Sequence, residues 1–195
     1  MVEISNLHVY DLAESIIASG YPKQVFPFAK KEYNKLVDSI NSIIYNIPEE
    51  YIPSNSEDER AKKAITRACK LSQASGGHDN FLKGIRVSFD LKYPNYFSPE
   101  LQRYNWIDIV SSSSKMHKLS FIATSNCFNK YVKPEVIEIV KKEVENYNNN
   151  KTYENFISAL SNCPLGVELF MRISTNYLQL KNIYKQRHDH RLKED

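Results

Sequence analysis

The sequence predicts an α+β protein, because two stretches with strand-like alternation stand among several helical stretches and no βαβ rhythm repeats. Residues 85 to 91 alternate between apolar and polar side chains, which indicates a strand with one buried face that ends at Pro94. Residues 164 to 172 form the second predicted strand. We expect a single domain over residues 1–195, since a chain of this length can bury a core of its own.

Four helices are predicted before the last strand. Apolar residues recur at steps of three and four over residues 33 to 47, until Pro48 stops the helix. After a turn at residues 53 to 55, a second helix begins near Ser56 and ends before Gly76 and Gly77. A third covers residues 132 to 147, and Thr152 is expected to cap a fourth that runs to Asn162.

Composition and charge exclude several classes of protein. The chain is 42% hydrophobic and 25% charged, as in ordinary soluble proteins. Its 26 basic residues nearly balance 23 acidic ones, so an anionic ligand is permitted and a nucleic-acid partner is not indicated. No apolar run is long enough to span a membrane. The three cysteines form no C-x-x-C pair, which favours a reduced, cytoplasmic setting.

The last segment carries polar residues on what should be one face of a helix. Ser174 or Thr175 is the predicted cap, and Asn176 and Arg187, eleven positions apart, fall about 20° from one another. Leu180 and Ile183 interrupt this polar stripe. On periodicity alone, an ordinary amphipathic helix is therefore as good an interpretation as a binding site.

Two further stretches could bind a ligand. The serines from Ser111 to Ser114, followed by Lys115, could donate hydrogen bonds to a phosphate if the backbone turns around it, although such a run is more often a plain loop. His188 and His190 invite a metal interpretation. Residues two apart on a helix point about 200° apart, so we predict no metal site.

The chain resembles the flavin-dependent thymidylate synthases in two blocks that align without gaps. That family ends in a helix that begins Thr-x-Asn, continues with an Asn six residues on and then an Arg five further. Asn176, Asn182 and Arg187 fall on those three places. Pro164 matches the proline before the family's last strand. In the second block, Gly77-His78 precedes Pro94 and Arg103 at the family's spacings.

The family signature R-H-R-x-x-S-x-N-E-x-S-x-R-Y is only partly kept. Arg103 and Ser113 are retained, and Lys115 keeps the charge of an arginine. Tyr104 and Asn105 replace the central His and the second Arg. Ser111 replaces the Glu and Met116 the last Tyr, while Glu100 stands for a Gln before the signature and Leu160 for a nucleotide-contacting Arg.

The resemblance implies mixed helices packed on a small antiparallel sheet, FAD as cofactor, dUMP as nucleotide ligand, and a homotetramer whose sites lie between subunits. It implies that Arg187 and Asn182 are catalytic, Arg187 by polarising the pyrimidine so that it accepts hydride from the flavin. It places His78, Arg103 and Asn176 at the cofactor. The nucleotide would be bound by Ser111, Ser113, Lys115 and Arg187.

Two functions follow. The first is a flavin-dependent, thymidylate synthase-like methyltransferase in which the cofactor supplies the difficult chemistry. The alternative is a non-catalytic protein that binds or sequesters a nucleotide on the same fold, for example in phage counter-defence. Loss of the signature's Arg, His and Glu favours the alternative, whereas retention of His78, Asn176, Asn182 and Arg187 favours the enzyme.

Overall fold

The computed structural model describes residues 2–45, 56–122, 124 and 127–189. Its helices are α1 (Leu12–Ala18), α2 (Lys30–Tyr45), α3 (Ser56–Gln73), α4 (Ser98–Leu101), α5 (Lys115–Ile122), α6 (Pro134–Asn149), α7 (Tyr153–Ser161) and α8 (Tyr177–Arg187). Its strands are β1 (Glu3–Tyr10), β2 (Arg86–Pro94), β3 (Asp108–Ser112) and β4 (Glu168–Asn176). The predicted helix end at Pro48 and the turn at residues 53 to 55 lie outside the described residues.

The four strands form one sheet in the order β1-β2-β4-β3, with β3 antiparallel to β4. This confirms the predicted α+β class with its small antiparallel sheet. The central strands β2 and β4 bury every second side chain, as the alternation of β2 predicted. β1 and β3 lie at the edges, and every residue in both is exposed.

The chain divides into two compact units, which we describe separately. The sheet unit comprises Met1–His8, Ser88–Thr175 and Ile183–Asp195. It contains the body of the sheet, and α5, α6 and α7 add buried residues to its core. The helical unit comprises Val9–Val87 and Asn176–Asn182. The predicted single domain over residues 1–195 stays a prediction.

The core of the helical unit is made by α1, α2 and α3. Ile16 and Ile17 of α1 meet Leu36 and Ile40 of α2, at the helical spacing that predicted α2. Three alanines of α3 complete this core: Ala61, Ala64 and Ala68. Because alanine is small, α3 can lie close to the two other helices.

The last strand begins and ends later than predicted. The predicted range was 164 to 172, but Pro164 to Gly166 form a turn in which Val167 N–H donates to the Pro164 carbonyl at 3.2 Å. At the other end, Ser174 and Thr175 stay in the strand instead of capping α8. Thr175 is buried, and its hydroxyl donates to the Trp106 carbonyl at 2.8 Å.

None of the described helices is both long and apolar enough to cross a membrane.

Thr152 caps α7 as predicted, since its hydroxyl oxygen accepts from the Asn155 N–H at 3.2 Å. We expect Thr152→Ala to lower the free energy of unfolding by about 1 kcal/mol, because a helix N–H loses its acceptor. Urea denaturation measures the change. Thr152→Ser keeps the acceptor and should stay close to the parent protein; equal losses in both variants would contradict the capping role.

Candidate functional site

Arg187, at the carboxyl end of α8 in the sheet unit, is held by Tyr104 and Glu100. Its Nε donates to the Tyr104 hydroxyl, and its Nη2 donates to Glu100 Oε2 at 2.8 Å. The guanidinium carbon lies 5.5 Å from the centre of the Tyr104 ring, a cation–π distance. The bonds to Tyr104 and Glu100 raise the pKa of Arg187, so it is a permanent cation. With its side chain only 18% exposed, the guanidinium is fixed in position.

Arg103 shares the carboxylate that holds Arg187. Its Nη1 lies 3.5 Å from Glu100 Oε1, and its side chain is 73% exposed. A contact this long and this exposed contributes little stability. Two predicted site residues, Arg103 and Arg187, therefore meet on Glu100, and Arg103 can leave it at little cost.

The serine stretch is a strand end followed by a helix start, not a turn around an anion. Ser111 lies in β3 opposite Arg172 of β4. Ser113 bonds Phe170 twice: its N–H donates to the Phe170 carbonyl at 2.8 Å, and its hydroxyl oxygen accepts from the Phe170 N–H at 3.0 Å. Lys115 then begins α5. The Ser113 hydroxyl keeps a proton to donate, beside a helix start whose N–H groups suit an anion.

His78 follows a glycine turn in the helical unit. Gly76 and Gly77 have φ of 71° and 90°, which other residues rarely adopt. His78 itself is exposed, while the next residue, Asp79, is buried.

Lys181 of α8 stabilises this glycine turn through two hydrogen bonds. Its ammonium donates to Asp79 Oδ2 at 2.5 Å and to the Ala74 carbonyl at 3.0 Å, and both charged side chains are less than 15% exposed. Lys181 was not predicted as a site residue, because no spacing pattern links it to Asp79, which lies 102 positions earlier. Because Ala74 precedes the turn and Asp79 follows it, the two bonds of Lys181 hold together both ends of the segment that carries His78.

Asn176 and Asn182 have different environments, also in the helical unit. Asn176 caps α8, because its Oδ1 accepts from the Gln179 N–H at 3.0 Å. Asn182, six residues further along the chain, is exposed. The cap explains why α8 begins after Asn176 and not at Ser174 or Thr175.

Among the residues described, no group of three or more His, Cys, Asp and Glu could hold a metal ion. His188 Nδ1 lies 3.2 Å from Asp189 Oδ1, and His190 lies outside the described part.

Sequence comparisons find no match, neither a protein-family model nor a curated protein sequence. Comparison with solved structures does find similar proteins. The fold is that of the flavin-dependent thymidylate synthases: the chain is similar to ThyX from Helicobacter pylori, solved with FAD and dUMP, with a TM-score of 0.61 and 14% identity over 98% of this chain and 87% of that one.

A second similar structure is the UMP/dUMP methylase PolB from Streptomyces cacaoi, solved with 5-Br dUMP. Its TM-score is 0.53 with 12% identity, over 94% of this chain and 75% of that one. At such identities the likeness establishes the fold. The roles of the individual site residues stay predictions.

The Lys181–Asp79 pair yields a stability prediction. We expect Asp79→Asn to lower the free energy of unfolding by about 2–3 kcal/mol, because it leaves a mostly buried ammonium without its counter-ion. Chemical denaturation measures the loss. Asp38→Asn, the same change at an exposed position of α2, should cost less than about 0.5 kcal/mol. Similar small losses in both variants would show that the pair contributes nothing.

Proposed function

We propose that this protein binds a dUMP-type pyrimidine nucleotide and, with FAD, catalyses flavin-dependent methylation of the pyrimidine. The observation that supports this best is the fixed guanidinium of Arg187, on a fold shared with structures solved with dUMP and with FAD. A cation that is immobile before the ligand arrives needs no reorganisation when negative charge develops beside it.

The nucleotide would lie with its base at Arg187 and its phosphate at the start of α5. Glu100 favours this orientation, because a dianionic phosphate next to Glu100 would meet a carboxylate already paired with Arg187. At α5, Lys115, the Ser113 proton and the helix N–H groups are all donors. A base can use both members of the Arg187–Glu100 pair, since its carbonyl accepts and its ring N–H donates.

The residues predicted at the cofactor fit an anionic, carbonyl-rich group such as FAD. Arg103 offers an exposed guanidinium that exchanges its long contact with Glu100 easily. Asn176 offers amide N–H donors, because its oxygen is used as the cap. His78 is exposed on its fastened turn. Bound FAD would supply the hydride chemistry, while Arg187 and Asn182 would bind and polarise the pyrimidine.

The second candidate is a non-catalytic protein that binds or sequesters a nucleotide. One observation favours it: Glu100 compensates the charge of Arg187, which weakens the help that Arg187 gives to a developing negative charge. Binding survives such compensation better than catalysis does, because the ground state of a neutral base carries no charge to stabilise. A homotetramer with sites between subunits belongs to both candidates as a proposal.

Arg187→Ala tests the nucleotide site. We expect dUMP at about 100 times its Kd to stabilise the parent protein by about 2.7 kcal/mol, a melting shift of roughly 5–10 °C, and Arg187→Ala to abolish that shift. Differential scanning fluorimetry measures it. Lys185→Ala removes an exposed cation from the same last turn of α8 and should keep the shift. A full shift in Arg187→Ala would overturn the site.

A flavin-binding measurement separates the two candidates. If the protein is a flavin enzyme, it should retain FAD on gel filtration, seen as visible flavin absorbance, and His78→Ala should reduce that retention. Lys83→Ala, an exposed change in the same unit, should not. A protein that dUMP stabilises but that retains no FAD would be the non-catalytic binder.

A further inference from the structure

A cluster of cations lies in the helical unit, among residues that the proposed nucleotide and cofactor sites do not use. A groove of about 240 Å³ runs between the end of α1 and α3. Its wall carries three cations of α3, Arg60, Lys63 and Arg67, and it is also lined by Gln24 and Phe28. We call it the α3 groove.

Arg67 is a partly buried cation whose bonds go to neutral acceptors. Its Nε donates to the Ser19 hydroxyl at 3.1 Å and its Nη2 to the Ile16 carbonyl at 3.3 Å. Burial lowers the pKa of Arg67, because removing water from around the guanidinium disfavours its charged form. In the part of the chain that the structure describes, no carboxylate pairs with it. An anion in the α3 groove would compensate this charge.

The position of Arg67 is set by Gly20. A Cβ atom on Gly20 would lie 2.8 Å from the guanidinium carbon and from Nη2. The Arg67 guanidinium therefore packs directly against Gly20. It can come this close because glycine has no side chain. Gly20 has a right-handed backbone, with φ of −96°, so alanine fits its conformation.

The other two cations differ in how far they are compensated. Arg60 pairs with Glu32 at 2.7 Å and lies over the Phe28 ring at 5.8 Å. Lys63 is exposed, and the described residues provide no ion pair for it. Lys63 and Arg67 together thus bring nearly two positive charges to one groove, which matches the charge of a phosphate monoester.

An aromatic cavity adjoins the α3 groove. It measures about 310 Å³, and its lining includes Tyr21, Phe26 and Tyr33 together with Gln24 and Phe28, which also line the groove. Val25 and Phe26 are exposed there despite their apolar side chains. A planar ring can pack against such walls while a phosphate attached to it reaches Lys63 and Arg67.

We infer that the α3 groove binds the phosphate of a small phosphorylated ring compound, of the size of a mononucleotide, whose ring occupies the adjoining aromatic cavity. This site is independent of the one proposed at Arg187. The ligand's phosphate serves as the counter-ion of Arg67. Phe28, which lines both the groove and the cavity, lies where the phosphate and the ring of the ligand join.

The test uses UMP as probe and the full-length Arg187→Ala variant, in which the proposed pyrimidine site is removed. Isothermal titration calorimetry should still detect UMP binding. Adding Lys63→Glu should weaken it at least about tenfold, since attraction becomes repulsion. Adding Lys83→Glu, the same charge change outside the groove, should leave it unchanged. Inorganic phosphate and uridine, tested separately, should each bind more weakly than UMP.

Gly20→Ala tests the geometry without altering charge. It should displace the Arg67 guanidinium and weaken UMP binding several-fold in the same background, with the circular dichroism spectrum unchanged. The inference is overturned if Arg187→Ala binds no UMP, or if Lys63→Glu and Lys83→Glu have equal effects. The dUMP melting shift tests the site at Arg187, whereas UMP calorimetry in the Arg187→Ala background tests the α3 groove. Each proposal can therefore be contradicted without affecting the other.

Discussion

The burial of one face of the two central strands is the constraint from which the sheet unit is built. Phe89 and Leu91 of β2 and Met171 and Ile173 of β4 are removed from water, at a gain of about 1.5–3 kcal/mol for each large side chain. Since side chains alternate along a strand, this fixes which residues point to the other face. There Arg172 binds Asp90 at 3.1 Å and Ser88 at 2.9 Å.

The polar side chains on that second face bind the edge strand β1, which has no buried residues, to the central strands. Arg172 also donates to the Asn6 carbonyl of β1 at 2.9 Å, and the Asn6 amide donates to Asp90 at 2.6 Å. The bonds from Asn6 and Arg172 hold the pKa of Asp90 below its usual value. Such a depressed pKa means that the contribution of Asp90 is present above its unfolded pKa and lost as the pH falls through its folded one.

The sequence was informative where burial follows a period, and uninformative at the edges. β2 and α2 were predictable because their apolar residues recur at strand or helix spacing, and the helix from Ser56 because a turn precedes it and a glycine pair follows it. β1 and β3 were not, since both faces of each are exposed and no alternation distinguishes them from a loop. In the site, the position of Arg187 on the last helix was predictable. Its bonds to Glu100 and Tyr104 join residues more than 80 positions apart, and no local pattern encodes them.

The cap at Asn176 restricts how this residue can meet any ligand. A side-chain amide normally offers both an acceptor and a donor, and its two ends can exchange by a half-turn about the last bond. Because Oδ1 accepts from the Gln179 N–H at 3.0 Å, exchanging the two ends would cost the cap. While the cap is intact, the Nδ2 N–H groups are the donors that Asn176 can offer to a partner. An aspartate would keep the start of α8 intact yet present oxygen where nitrogen now stands, so folding and recognition can be separated by changing one atom.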